Sequence, residues 1–248
     1  IDTAMSYGES ENIIGMLSPE NWGNKKVSTK IGKIPTSSTQ SIHDIIDERI
    51  EKSLERLRIR KIYNLYLHYP DQLLEKKGEK IFDSLIILKK TKKIENIGYS
   101  FYDPRSIEKF LEHFKPDVVQ IPFNLFDQRL IKNNYYMKYV SKNVKINIRS
   151  IYLQGLLLTK ICRLPKKIIN FKKDFSRLYD YASWFKLKPI DICNSFLMNY
   201  DFYNNVIVGF NNVNELKTFV NLKKENFNFN FSQFASENKY LISPKEWS

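Results

Sequence analysis

Glycine is scarce in this chain, 8 in 248 residues, and nowhere do its glycines fall in a G-x-G-x-x-G pattern behind a strand-like run. A Rossmann-type nucleotide loop, which needs that spacing for a tight turn against a pyrophosphate, is therefore disfavoured. Cysteine is scarcer: Cys162 and Cys193 lie far apart. Two such thiols build neither a disulfide framework nor a metal set, so they read as free thiols in a reducing cytoplasm. No stretch approaches the roughly 18 consecutive apolar residues of a membrane span. The start also lacks a basic segment followed by an apolar one, so a soluble, unexported, cytoplasmic protein with no membrane partner is expected. Acidic residues are outnumbered, 27 against 40 Lys and Arg, which leaves a net charge of +13. The excess is scattered, with Lys pairs at 25–26, 76–77, 89–90, 92–93, 166–167, 172–173 and 223–224. Nucleic-acid readers concentrate such charge on one element with aromatics interleaved, so no nucleic-acid partner is expected. A diffuse positive field would still help draw in phosphate-bearing ligands.

What the chain does contain is an alternation of short β-rich runs with amphipathic segments, the pattern of a parallel sheet with crossover helices. Strand-like runs fall near 1–3, 26–30, 62–68, 95–99, 118–122, 145–150 and 206–209. Between them, 41–58 sets Ile42, Ile45, Ile46, Ile50, Leu54 and Leu57 on one helical face. In 78–92, Phe82, Leu85, Ile86 and Leu88 recur similarly. Asp103 followed by Pro104 reads as a helix opening before SIEKFLEHF. No repeat, low-complexity tract or Gly/Ser linker divides the chain, so residues 1–248 are read as one domain.

The chemistry sits at the exits of these runs. Asp2 and Tyr7 bracket the loop after the first, Lys30 closes VSTK, and His68 closes YNLYLH. An acid, a phenol, an ammonium and an imidazole at successive strand ends form a proton-transfer set. In a βα barrel, groups at the carboxyl ends of different strands converge on one face. A nearby ammonium favours the charged phenolate, which makes an otherwise weak acid usable near neutral pH. Lys30 is placed to act so on Tyr7, Asp2 to keep Lys30 charged, and His68 to offer a neighbouring hydrogen bond.

The ordered contexts IDTAMSYG, STKIG and LHYPD resemble the aldo-keto reductase family, and GYS at 98–100, VVQIPFN at 118–124, IRSIYLQGLL at 148–157 and VIVGF at 206–210 extend the resemblance over nearly the whole chain. It implies a (β/α)8 TIM barrel that begins inside the second strand, lacking an N-terminal hairpin and first strand. It further implies NAD(P)H-dependent reduction of an aldehyde or ketone, with Asp2, Tyr7, Lys30 and His68 catalytic and no metal. The spelling is similar to bacterial members linked to surface polysaccharide or sugar metabolism, which implies a small carbonyl substrate, sugar-like in kind. By motif, Ser100 and Gln120 would bind the nicotinamide carboxamide, Arg149 would lie against its ring, and Ser150 with Leu153 would border the pyrophosphate. Gly209, Asn211 and Glu215 would lie near the adenosine phosphate end.

Three positions depart from the family pattern. Phe101 stands where an asparagine is usual, Arg149 where an aromatic stacks on the nicotinamide, and Glu215 where many members place an arginine against the 2′-phosphate. NADP is the expected cofactor and NAD is admissible. The alternative reading is a regulatory relative that binds the nucleotide without significant turnover. Tyr69, Phe123 and Trp184 are candidate walls of a substrate pocket.

Overall fold

The computed structural model describes residues 1–17, 26–221 and 229–247; Lys25, Lys223 and Lys224 of the basic pairs lie outside them. Two compact units divide the chain. The first comprises Ile1–Phe101, Arg105–Gln120 and Ser141–Lys145; the second comprises Tyr102–Pro104, Ile121–Val140 and Ile146–Ser248.

The first unit carries helices α1 (Ser10–Met16), α2 (Ile42–Leu57) and α3 (Gly78–Lys90). Its strands are β1 (Ser28–Ile31), β2 (Ile62–Leu67), β3 (Ile94–Ser100) and the first three residues of β4 (Val118–Pro122). Each strand pairs in parallel with its neighbour in chain order. The first run, at 1–3, is a single bridge of Asp2 to Ser28. The strands are buried almost throughout, as parallel strands covered on both faces must be. The helix α2 obeys its sequence pattern: all six apolar residues of the expected face are buried, and Ser41 caps the start by accepting from the Asp44 amide. In α3 the buried set is Gly78, Ile81, Ser84, Leu85 and Leu88, so Ile81 and Ser84 take the places expected of Phe82 and Ile86, and Phe82 instead packs on Phe114.

The helix expected after Asp103 is a 3-10 segment, Pro104–Lys109. Ile107 and Phe110, three apart, are both fully buried, a spacing that three residues per turn stack on one side. Phe110 meets Tyr99 and Phe101, with ring centroids 5.4 and 5.5 Å away.

Period two along the strands and the parallel register together define rows of side chains on one face of this sheet. The deepest row is Ser28, Asn64 and Asn96, joined by side-chain hydrogen bonds of 3.0 Å from Asn64 to Ser28 and from Asn96 to Asn64. The next is Lys30, Tyr66, Gly98 and Val118. At the strand exits Ser100 registers with Gln120.

The second unit holds α4 (Met137–Val140), most of β5 (Lys145–Arg149), α5 (Lys172–Trp184), α6 (Pro189–Met198), β6 (Asn205–Val206), α7 (Val213–Val220) and α8 (Lys239–Ile242). β5 and β6 are parallel, with Asn147 opposite Asn205. Its core is aromatic. Phe123, fully buried, packs on Phe196, Tyr200 and Phe202 with centroids 4.9 to 5.5 Å apart, so it is a core residue. Trp184, by contrast, is 84% exposed. Among the described residues no helix is long and apolar enough to cross a membrane.

Candidate active site

Lys30 organises the site of the first unit. Its position on β1 turns the side chain into the row with Tyr66, where it is 2% exposed. An ammonium so buried demands counter-charge and acceptors. Lys30 Nζ donates to Asp2 Oδ2 at 2.5 Å and to the Thr3 carbonyl at 2.8 Å. These two bonds aim the ammonium, which has three donors in all. Nζ lies 5.2 Å from the centre of the Tyr7 ring and 5.9 Å from that of Tyr66.

Tyr7 arrives on the loop between Asp2 and α1. The Met5 amide donates to the Lys30 carbonyl, Tyr7 N–H donates to the Ala4 carbonyl, and Thr3 and Ser10 hydroxyls pair at 2.8 Å, so the loop is tied at both ends. Tyr7 is 49% exposed, and solvent and small molecules reach its ring. His68 follows β2 directly, its amide bonded to the Ile31 carbonyl. Its ring meets that of Tyr7 edge-on, centroids 6.3 Å apart at 77°, and lies 5.6 Å from Tyr69. The four residues expected to converge are thus gathered about one half-open space. Burial pushes the Tyr99 and Tyr139 phenols far above their usual range, which makes those two poor proton donors.

Two supports of this site are absent from the sequence reading. Glu11, on α1 and 2% exposed, accepts from Thr29 Oγ1 at 2.7 Å, Ser53 Oγ at 2.5 Å, and Arg56 Nε and a terminal nitrogen at 2.8 and 2.6 Å. One buried carboxylate therefore ties α1, and with it the Tyr7 loop, to β1 and α2 through charge-assisted bonds. Tyr66 is the second. A Cβ on Gly98 would stand 2.5 Å from the Tyr66 ring, so the missing side chain of Gly98 makes the space in which that ring lies beside Lys30. Period two along NLYLH puts Asn64, Tyr66 and His68 on one face, a signal present in the sequence.

Ser100, the last residue of β3, and Gln120, the middle residue of β4, lie side by side, both buried. A hydroxyl and a primary amide on adjacent strands complement an amide ligand such as a nicotinamide carboxamide. Phe101 turns away into the Tyr99 and Phe110 cluster, and its amide donates to the Gln120 carbonyl. Gln120 also does something unexpected: its Nε2 donates to Asp2 Oδ1 at 2.8 Å.

In the second unit Arg149 ends β5, half-buried, with its guanidinium 4.8 Å from the Tyr102 ring and a 3.1 Å bond to Ser150 Oγ. The chain then turns through left-handed residues at Ser150, Leu153, Gln154 and Gly155. The Leu153 side chain is fully buried, so what that residue offers a ligand is backbone. A guanidinium beside a hydroxyl is a donor set that suits phosphate oxygens. Further on, Gly209 is open, with nothing within 4 Å of an added Cβ. Asn211 and Glu215 are drawn together at the start of α7, where Glu215 accepts from the Asn211 amide at 2.8 Å and from Asn212 Nδ2 at 3.1 Å. The Glu215 amide in turn donates to Asn212 Oδ1 at 3.0 Å, a reciprocal helix cap.

Comparison with known proteins bears on the family and the fold. Residues 1–240 match the Aldo/keto reductase family. No curated protein matches the chain. Among solved structures, the apo form of the aldo-keto reductase AKR11C1 from Bacillus halodurans superposes with a TM-score of 0.75 at 18% identity, covering 94% of this chain and 79% of that one. Its holo form gives 0.70 at 19%, covering 89% and 74%. The glycerol dehydrogenase AKR11B4 from Gluconobacter oxydans gives 0.63 at 23%, covering 89% and 79%. At such identities the structural likeness speaks to the fold, a parallel α/β arrangement of the barrel type, while the match over residues 1–240 speaks to descent: the chain belongs to the aldo/keto reductase family, a family of oxidoreductases.

Proposed function

We propose that this protein reversibly reduces an aldehyde or ketone with a nicotinamide nucleotide as electron donor, and that Tyr7 is its proton donor. The observation that carries the reading is Lys30, whose buried ammonium is held by Asp2 and Thr3 and lies within 5.2 Å of the half-exposed Tyr7 ring. The nucleotide, when bound, supplies hydride. As the carbonyl carbon accepts it, charge grows on the oxygen, and the Tyr7 hydroxyl gives up its proton there. The Lys30 ammonium stabilises the phenolate left behind, and Asp2 keeps that ammonium charged and aimed. His68, edge-on to Tyr7, donates to the same oxygen and fixes the carbonyl's direction. In the first unit Ser100 and Gln120 suit the carboxamide; in the second, taken by itself, Arg149 and Ser150 suit phosphates, and Asn211 with Glu215 suits the adenosine end. Either NADPH or NADH serves.

Small polyols and their carbonyl forms head the substrate panel, since one structural neighbour is called a glycerol dehydrogenase; sugar aldehydes and ketones follow. The test is stopped-flow oxidation of NADPH and NADH against that panel, with Tyr7→Phe as control. General acid catalysis contributes about 10²–10⁴-fold, so the variant should lose that much in turnover while nucleotide binding stays within a few-fold. Unchanged turnover removes Tyr7 from the mechanism. The second reading, a nucleotide-binding regulator, draws on Phe101 packed in the core and Arg149 held over Tyr102. Tight nucleotide binding with no turnover on any carbonyl would favour it.

A further inference from the structure

Gln120 enters the site with a role that carboxamide binding does not describe. It is 1% exposed in the middle of β4 and donates from Nε2 to Asp2 Oδ1 at 2.8 Å. The other Asp2 oxygen takes the Lys30 ammonium. An ionised carboxylate only accepts hydrogen bonds, so the side-chain amide must present its NH2 to Asp2, which settles its orientation. The backbone on either side of Asp2 is bonded to β1, Ser28 N–H donating to the Ile1 carbonyl at 2.8 Å and Thr3 N–H to the Ser28 carbonyl at 2.9 Å. Those bonds fix the Asp2 Cα but not the rotation of its carboxylate, which needs a side-chain anchor besides Lys30 if it is to keep one plane. Two donors from two different strands, β1 and β4, fix its plane. The donor from β4 is neutral, which matters: a cation there would compete with Lys30 for Asp2, whereas an amide orients the carboxylate and leaves its charge to the ammonium.

We propose that Gln120 is a positioning residue of the proton-transfer set, holding Asp2 through this hydrogen bond so that Lys30 is aimed at Tyr7. The assembly is then Gln120, Asp2, Lys30 and Tyr7, in that order of contact, with Gln120 acting on the chemical step through Asp2. The proposal rests on the reductase reading for its kinetic half and on geometry alone for the other half.

Gln120→Met keeps length and removes the donor. If Gln120 served only the nucleotide, that change would weaken nucleotide binding and leave the single-turnover rate at saturating nucleotide unaltered. If it positions Asp2, the single-turnover rate at saturation falls about tenfold or more, the scale of a lost hydrogen bond to a charged group. The effect must also vanish in an Asp2→Ala background, because a contact that is already broken cannot be broken twice. The same cycle read without nucleotide, by denaturant midpoint of wild type, Gln120→Met, Asp2→Ala and the double variant, should be non-additive. Additive midpoints, or a single-turnover rate unmoved by Gln120→Met, overturn the proposal while leaving Tyr7 chemistry standing. An enzyme with no Tyr7-dependent turnover overturns the reductase reading instead, and the nucleotide-free cycle still decides whether Gln120 holds Asp2.

Discussion

Asp2 and Glu215 are both carboxylates at the heart of their regions, and they are held in opposite media. The Asp2 side chain is 17% exposed and faces an ammonium that is 2% exposed. Glu215 is exposed at the start of α7 and accepts from a backbone amide and an asparagine side chain. The first stands where water cannot substitute for its partner; the second stands where water can. The difference teaches where each unit places its precision. In the first unit, charge is buried at strand ends whose register fixes its direction. In the second, polar groups sit on turns and a helix start, held by local bonds that any short cap provides.

The largest effect expected from this contrast comes from removing the carboxylate in the buried case. Asp2→Ala leaves the Lys30 ammonium with the Thr3 carbonyl but without its counter-charge, and should cost about 3–5 kcal/mol in denaturant unfolding. Replacing both members by apolar residues, Asp2→Leu with Lys30→Met, should regain much of that stability, because the desolvation of the pair disappears with it. Turnover should not return, since the ammonium is gone. A single Asp2→Ala variant within about 1 kcal/mol of wild type would mean that water reaches Lys30, and the contrast with Glu215 would lose its basis.

The same contrast explains what could be read in the sequence. Strand ends are legible because period two and parallel register convert spacing into direction: Lys30 and His68 lie where VSTK and YNLYLH put them, and the six apolar residues of 41–58 are buried together. Contacts across the sheet were not legible. Gln120 reaches a residue 118 positions earlier, and no local pattern encodes a partner at that distance. Glu11 has no local mark in the sequence, yet it carries four bonds from β1 and α2. Phe123 looked like a pocket wall because an aromatic at a strand exit has no local mark that tells core from cavity. The segment after Asp103 carried good helix signals, but the burial of Ile107 and Phe110 at a spacing of three favoured a tighter turn.

A middle-sized effect probes packing beneath the charge. Gly98→Ala would drive a methyl to 2.5 Å from the Tyr66 ring, and a ring on a central strand has little room to retreat. Overpacking of this kind costs about 1–3 kcal/mol. Adding Tyr66→Leu should recover part of it, which marks the clash as the cause. Because the Tyr66 ring lies 5.9 Å from Lys30 Nζ, Gly98→Ala should also lower turnover in a way that a surface glycine such as Gly209 would not. Equal losses from Gly98→Ala and Gly209→Ala would remove the distinction between the two regions' packing.

The smallest effect belongs to Glu215. Glu215→Ala leaves the Asn212 cap in place but removes a carboxylate from the first turn of α7, which is worth about 0.3–1 kcal/mol, so the midpoint of thermal unfolding should fall slightly. Glu215→Gln keeps one acceptor oxygen and should fall less. On the proposed reading, its second consequence is electrostatic: with a negative charge gone from the adenosine end, NADPH should gain on NADH by a few-fold in binding. That gain should shrink as salt is raised from low to physiological concentrations and beyond, because exposed charges are screened within about 10 Å at 0.1 M. A binding ratio that does not move between wild type and Glu215→Gln would leave Glu215 as a helix cap alone, and nucleotide preference would then have to be sought in the Arg149 and Ser150 turn, where a guanidinium is already in place.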